Sequence, residues 1–173
     1  MLLATTSIAA AWFLAWLFAI ASFHKLRAPQ EYAALIQRQL PGLMRSRTLA
    51  RATATLLGVA ELATGVALLL APTRAVGAAL AAGLLLLYGL AMSRMLARGI
   101  RATRCGCGGL SSTLSHSWAL VGRNVICAAL AGLVLLTDTS ASLLGGAFAL
   151  LLVVMYLGVE QLISNAQQMQ EAR

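Results

Sequence analysis

The chain is 173 residues long, 60% hydrophobic and only 10% charged, with a mean hydropathy of +0.84. Thirteen basic and five acidic residues cannot clothe a water-soluble domain of this size, so the composition excludes a soluble globular enzyme and points to an integral membrane protein. The net charge of +8 is read as topological, with Lys and Arg gathered on a cytoplasmic face against anionic lipid, and not as a nucleic-acid signature.

The first predicted span is Leu2 to Phe23, with Trp12, Phe13, Trp16 and Phe18 inside it. No basic residue precedes it and His24-Lys25-Leu26-Arg27 follows, so it reads as a retained span with its N-terminus outside and not as a cleaved signal peptide. His24 and Lys25 could shuttle protons at its end, but interfacial anchoring by Lys25 and Arg27 is the commoner use of such residues and is the expectation here. From Pro29 to Leu40, residues Tyr32, Leu35, Ile36 and Leu40 recur at helical spacing before Pro41-Gly42 stops the pattern. This segment is too short to cross a bilayer and is expected to lie in the cytoplasmic interface. Arg38, Arg45, Arg47 and Arg51 follow in the most basic stretch of the chain.

A second span, about residues 50–71, places Glu61 about eleven residues from its start, or ~16 Å at ~1.5 Å per residue, near the bilayer midplane. Pro72-Thr73-Arg74 predicts a tight turn into a third span, 75–95, whose Ala and Gly content allows close helix contacts. Arg94, Arg98, Arg101 and Arg104 then lead into a glycine-rich loop, 104–113, that holds Cys105-Gly106-Cys107. The fourth span, 117–137, carries Arg123 and Asn124 in its first two turns and Cys127 one turn deeper. The fifth, 142–163, is followed by a polar tail from Ser164. The loops after spans one and three are rich in Arg while those after two and four hold almost none, which predicts an external N-terminus and a cytoplasmic C-terminus. The expected architecture is all-α: one polytopic membrane bundle of about five transmembrane helices plus a short interfacial helix, with no separate soluble domain.

Cys105 and Cys107 are the chain's best candidates for chemistry. Two sulfurs one residue apart can exchange thiol for disulfide, the upstream arginines favour thiolate, and a bond across one residue closes a strained ring that is readily reduced. The same thiols could instead hold a soft metal, with Cys127 or His116 as a third ligand, or be small apolar residues in a glycine turn. No metal is assigned. Glu61 and Arg123 form the second candidate pair, because an ionisable group deep in a span costs ~2.5–3.5 kcal/mol on insertion scales and so usually faces a partner inside the bundle. Spacing suggests that Arg123 reaches Glu61, either as a structural ion pair or as part of a proton relay or quinone head-group site. Asn124 is expected to bond a neighbouring helix and Cys127 to pack as a small apolar side chain. No cofactor is fixed by these residues; a lipid-soluble quinone is the one they would suit.

Ala21-Ser22-Phe23-His24-Lys25-Leu26-Arg27 with Pro29, Glu61 with Gly65, Arg98-Gly99 leading to Cys105-Gly106-Cys107-x-Gly109, and Gly122-Arg123-Asn124, in that order over nearly the whole chain, resemble the MauE family of methylamine-utilisation proteins. That family stands near the DoxX-like and vitamin K epoxide reductase-like membrane proteins. Relatives often have an aromatic residue after the second cysteine where this chain has Gly108, which makes the motif less distinctive. The resemblance implies a multi-pass protein of the bacterial inner membrane. It would assist disulfide formation in the small subunit of methylamine dehydrogenase, beside a thioredoxin-like partner of the MauD type, with Cys105 and Cys107 as the exchanging thiols. On this reading Glu61, Arg123 and Asn124 shape the helical core beside them. The charge pattern puts the thiols near the cytoplasm whereas that substrate is periplasmic, so electrons cross the membrane, or the loop dips inward to a quinone, or the orientation is inverted. The competing class is a non-enzymatic scaffold or a soft-metal carrier that uses the same cysteines.

Overall fold

The computed structural model describes residues 2–39, 46–99, 118–137 and 143–171, and all the regular structure among them is helical. The elements in chain order are α1 (Leu2–Arg27), α2 (Pro29–Gln39), α3 (Arg47–Leu69), a 3-10 turn (Ala71–Thr73), α4 (Arg74–Ala97), α5 (Trp118–Leu136) and α6 (Leu143–Glu171). Five of them, α1, α3, α4, α5 and α6, are long and apolar enough to cross a membrane. The chain is an all-α, polytopic membrane bundle in which α2 is the short extra helix.

Helix α1 is apolar on every side, and of the five long helices it has the largest share of its span buried inside the bundle. It packs against α3, α5 and α6, while α4 lies between α3 and α5. Its Ala10, Ala11, Phe13, Leu14, Ala15, Leu17 and Phe18 meet Leu68 of α3, Ala78, Ala81 and Leu85 of α4, Ala128, Ala131 and Val134 of α5 and Tyr156 of α6. Around this axis the outer helices turn large side chains outward, among them Leu62 and Val66 of α3, Leu86 and Leu90 of α4, Ile126 of α5 and Leu150 and Val154 of α6. Such an outward apolar surface suits lipid, and inside it small residues let backbones approach, since burial against apolar neighbours gains little over burial in hydrocarbon.

The turn between α3 and α4 shows how that approach is made. A Cβ at Gly77 would lie 2.7 Å from the Leu68 nitrogen and 2.9 Å from the Ala67 carbonyl carbon, so α4 can start against the end of α3 only with no side chain there. Arg74, a loop residue by sequence, is buried at this turn and its guanidinium donates to the carbonyls of Leu68 (3.1 Å) and Leu69 (3.3 Å). The Thr73 hydroxyl donates to Ala67 O at 3.1 Å. These bonds satisfy carbonyls that the end of α3 leaves open.

Two helices run beyond the lengths that hydrophobicity suggested. Helix α1 continues past Phe23 through His24-Lys25-Leu26-Arg27 and breaks only at Ala28, the residue before Pro29. Helix α6 continues through the segment expected to be a polar tail and ends at Glu171, giving 29 residues, or about 42 Å at ~1.5 Å per residue. The sequence Ser-Asn-Ala-Gln-Gln-Met-Gln-Glu from Ser164 contains neither Gly nor Pro, so a hydropathy boundary there is not a helix boundary.

Candidate functional site

The sequence offers two groups of candidate residues, the thiol loop and the intramembrane polar residues. Cys105, Cys107 and the loop 104–113 around them lie outside the described residues. Their flanks are described. Helix α4 stops at Ala97, where Arg98 donates its N–H to Arg94 O and the following Gly99, at φ 74°, turns the chain away. Asn124, in the second turn of α5, stands against the second half of α4, with its Cβ position 3.7 Å from that of Gly89. The end at which α4 leaves the bundle is thus the end at which α5 enters, and the thiol motif belongs to the connection between them.

The intramembrane polar groups gather towards that same end. Glu61 of α3 is fully buried, and its partner is Lys25, whose Nζ donates to Oε1 at 2.7 Å and to Oε2 at 2.9 Å. The Tyr88 hydroxyl of α4 donates to Oε1 at 2.6 Å. Lys25 is itself buried, with the Tyr32 ring of α2 and the Tyr88 ring at 5.4 and 5.3 Å from its ammonium nitrogen. Four helices therefore meet at one ion pair.

This corrects two expectations. Lys25 does not anchor α1 in the interface. In a helix each Cα–Cβ bond tilts towards the N-terminus, so a side chain two residues from the end of α1 leans back into the bundle, and Glu61 rewards that direction. Nor does Arg123 meet Glu61. Its Nη1 donates to Glu160 Oε1 of α6 at 2.9 Å, the same oxygen accepts the Tyr156 hydroxyl at 3.1 Å, and the guanidinium lies 5.3 Å from the centre of the Tyr156 ring. Arg123, Glu160 and Tyr156 are all buried, and the Tyr156 ring makes edge contacts with Phe13 and Trp16 of α1. Lys25 with Glu61 and Arg123 with Glu160 thus each set opposite charges side by side, which favours keeping them in a low-dielectric interior, whereas the buried Arg74 is held by backbone carbonyls.

Asn124 bonds across helices, donating through Nδ2 to the Met92 sulfur at 3.4 Å. Met92 lies one turn from Tyr88 on α4, so one face of α4 carries a partner for Glu61 and a partner for Asn124. Cys127 is a buried free thiol packed in the apolar core one turn beyond Arg123. His24 sits edge-on to Phe23 at 6.0 Å and takes no part in the Glu61 cluster.

Tyr32, Tyr88, Tyr156 and Glu160 are the members that sequence reasoning missed. Glu160 had a signal, being an acid within a predicted span, as Glu61 is, with a tyrosine four residues before it on the same helix face. The three tyrosines had none, since an amphipathic ring in a membrane helix commonly marks only the interface.

These features define a class: a polytopic helical membrane protein with two neutralised charge clusters towards the end of the bundle where α4 stops and α5 begins. The chain belongs to the family of the methylamine utilisation protein MauE, whose model matches residues 3–137. It is 35% identical over 154 residues to "Methylamine utilization protein MauE" of Paracoccus denitrificans, an alignment that covers 81% of this chain and 79% of the relative. The family match takes in Lys25, Glu61, Tyr88, Cys105, Cys107, Arg123 and Asn124, and stops short of α6 with Tyr156 and Glu160. No solved structure matches the chain.

Proposed function

We propose that this protein works in methylamine utilisation as a membrane thiol–disulfide factor that helps the small subunit of methylamine dehydrogenase to acquire its disulfides, beside a thioredoxin-like partner of the MauD type. The observation that carries the reading is membership of the MauE family over a stretch that includes Cys105 and Cys107. Its chemical basis is that two neighbouring thiols can be joined, releasing two electrons and two protons, and the resulting disulfide can then be passed to a substrate dithiol by two exchange steps that return Cys105 and Cys107 to thiols. The acceptor for the two electrons is, on this proposal, a lipid-soluble quinone, which reaches the charged end of the bundle through the hydrocarbon. We place the protein in the bacterial inner membrane with its N-terminus outside, on the evidence of the Arg-rich stretches after α1 and α4.

The test is Cys105→Ser and Cys107→Ser, each introduced singly into the full chain in cells growing on methylamine. Intact-mass counting of free thiols in the dehydrogenase small subunit is expected to show unformed disulfides with either variant, while the membrane protein itself remains inserted at normal level. Normal substrate disulfides with both variants overturn the reading and leave a scaffold. Loss of function accompanied by a bound metal that thiol alkylation releases points to a carrier instead.

A further inference from the structure

The Lys25 ammonium is held as a ligand would be held. Both oxygens of a fully buried carboxylate accept its N–H groups, at 2.7 and 2.9 Å, and two tyrosine rings from different helices stand 5.4 and 5.3 Å from the nitrogen. A carboxylate with aromatic faces around it is the general chemistry of ammonium recognition. The carboxylate is also fixed without Lys25, because Tyr88 donates to Oε1 at 2.6 Å from α4. By contrast, Lys25 and Tyr32 both reach the site from beside Ala28, the break between α1 and α2. The space for the end of α1 comes from Gly58, where a Cβ would lie 3.1 Å from the Leu26 side chain and 3.4 Å from Lys25 Cβ.

We propose that Glu61, Tyr88 and Tyr32 form a receptor site for small primary alkylammonium ions, in which Lys25 is a tethered occupant that a free ion can replace. Two N–H donors on one nitrogen are needed to serve both carboxylate oxygens, so the site selects primary ammonium over quaternary ions, which have none. Replacement releases Lys25 together with the α1–α2 junction and leaves Glu61 neutralised by the incoming cation. Tethering gives Lys25 an effective concentration on roughly the mM scale or above, so displacement in the intact chain needs free ion in excess of that. This inference concerns amine binding and stands apart from the thiol reading.

The experiment uses the full chain in lipid nanodiscs at constant ionic strength, with methylammonium, n-propylammonium and tetramethylammonium chlorides as probes. Lys25→Ala removes the three methylenes and the nitrogen that n-propylammonium would restore. Its thermal midpoint is expected to fall, and to recover at least half of the loss, saturably, with n-propylammonium or methylammonium and not with tetramethylammonium. Lys25→Met fills the space without N–H donors and is expected to fall without recovery, as is Lys25→Ala combined with Glu61→Gln. In the wild-type chain, hydrogen–deuterium exchange over residues 24–33 is expected to quicken severalfold with methylammonium and not with tetramethylammonium. Equal effects of all three cations, recovery that survives Glu61→Gln, or exchange in the wild-type chain that methylammonium leaves unchanged would each overturn the proposal. Should Lys25→Ala fail to fold, the wild-type exchange alone decides it.

Discussion

Glu61 accepts three hydrogen bonds from two cross-helix partners, Lys25 twice and Tyr88 once, and its burial makes every one of them consequential. Removing one member of a buried pair leaves the other charged and unpartnered, at a cost of about 3–5 kcal/mol, whereas replacing both with apolar residues of similar volume is often mild. Glu61→Gln is therefore expected to destabilise the bundle by about that amount, and Lys25→Met with Glu61→Leu by clearly less than the sum of the single changes; a double-mutant cycle on unfolding in mixed micelles checks this. Tyr88→Phe removes one hydrogen bond to a charged group, worth about 1.5–3 kcal/mol, and keeps the ion pair. The Arg123–Glu160 pair obeys the same rule, so Glu160→Ala is expected to be more damaging than Glu160→Ala combined with Arg123→Met. If the combined change proved the worse one, α6 would be held by something other than this pair.

At this scale the sequence exposed the need for partners but not who they are. Glu61 was conspicuous because an acid in a span is costly wherever it points. Which base it meets depends on the rotation and tilt of each helix, and a bundle with five acids and thirteen bases allows several pairings. Arg123 and Lys25 were both within plausible reach along the chain. The backbone direction of α1 decided between them, since the Lys25 side chain leans inward and needs no snorkelling to reach Glu61.

At the scale of elements, the spans were legible because runs of apolar residues long enough to cross a bilayer have few other uses in a chain this poor in charge. Their ends were less so. Ser164 to Glu171 is polar yet helical, and His24 to Arg27 is basic yet still α1, because polarity marks where the hydrocarbon ends and only Gly, Pro or a cap marks where a helix ends. The α3–α4 junction hid its device altogether: Arg74 reads as a surface charge, and only its bonds to Leu68 and Leu69 show it closing the end of α3. Gly77→Ala is expected to force α4 off the α3 backbone and cost about 1–3 kcal/mol, the range for overpacking, while Gly83→Ala, with nothing within 4 Å of the added carbon, is expected to be neutral. Thermal melts of the two variants side by side test the contrast. Equal melting points would mean that the junction opens at no cost.

For the molecule as a whole, the arrangement is asymmetric along the membrane normal. One part of the bundle is packed by Ala, Leu and Phe around α1, and the other carries Lys25, Glu61, Tyr88, Asn124, Arg123 and Glu160, towards the end where α4 stops and α5 begins. The paired charges tie α1 to α3 and α5 to α6, and let the bundle be rigid without being wholly apolar, as the exchange chemistry proposed for Cys105 and Cys107 would require. Cys127 has no such setting. It lies in the apolar core, and Cys127→Ala is expected to leave maturation intact, as read by the thiol count of the substrate subunit.

The most direct measurement is the thiol state of the three cysteines in living cells, trapped by rapid acidification, alkylated and mapped by mass spectrometry. The account predicts a Cys105–Cys107 disulfide that is present in part, rises when the substrate subunit is absent and leaves Cys127 reduced throughout. Cysteines 105 and 107 found fully reduced in every growth state would contradict it.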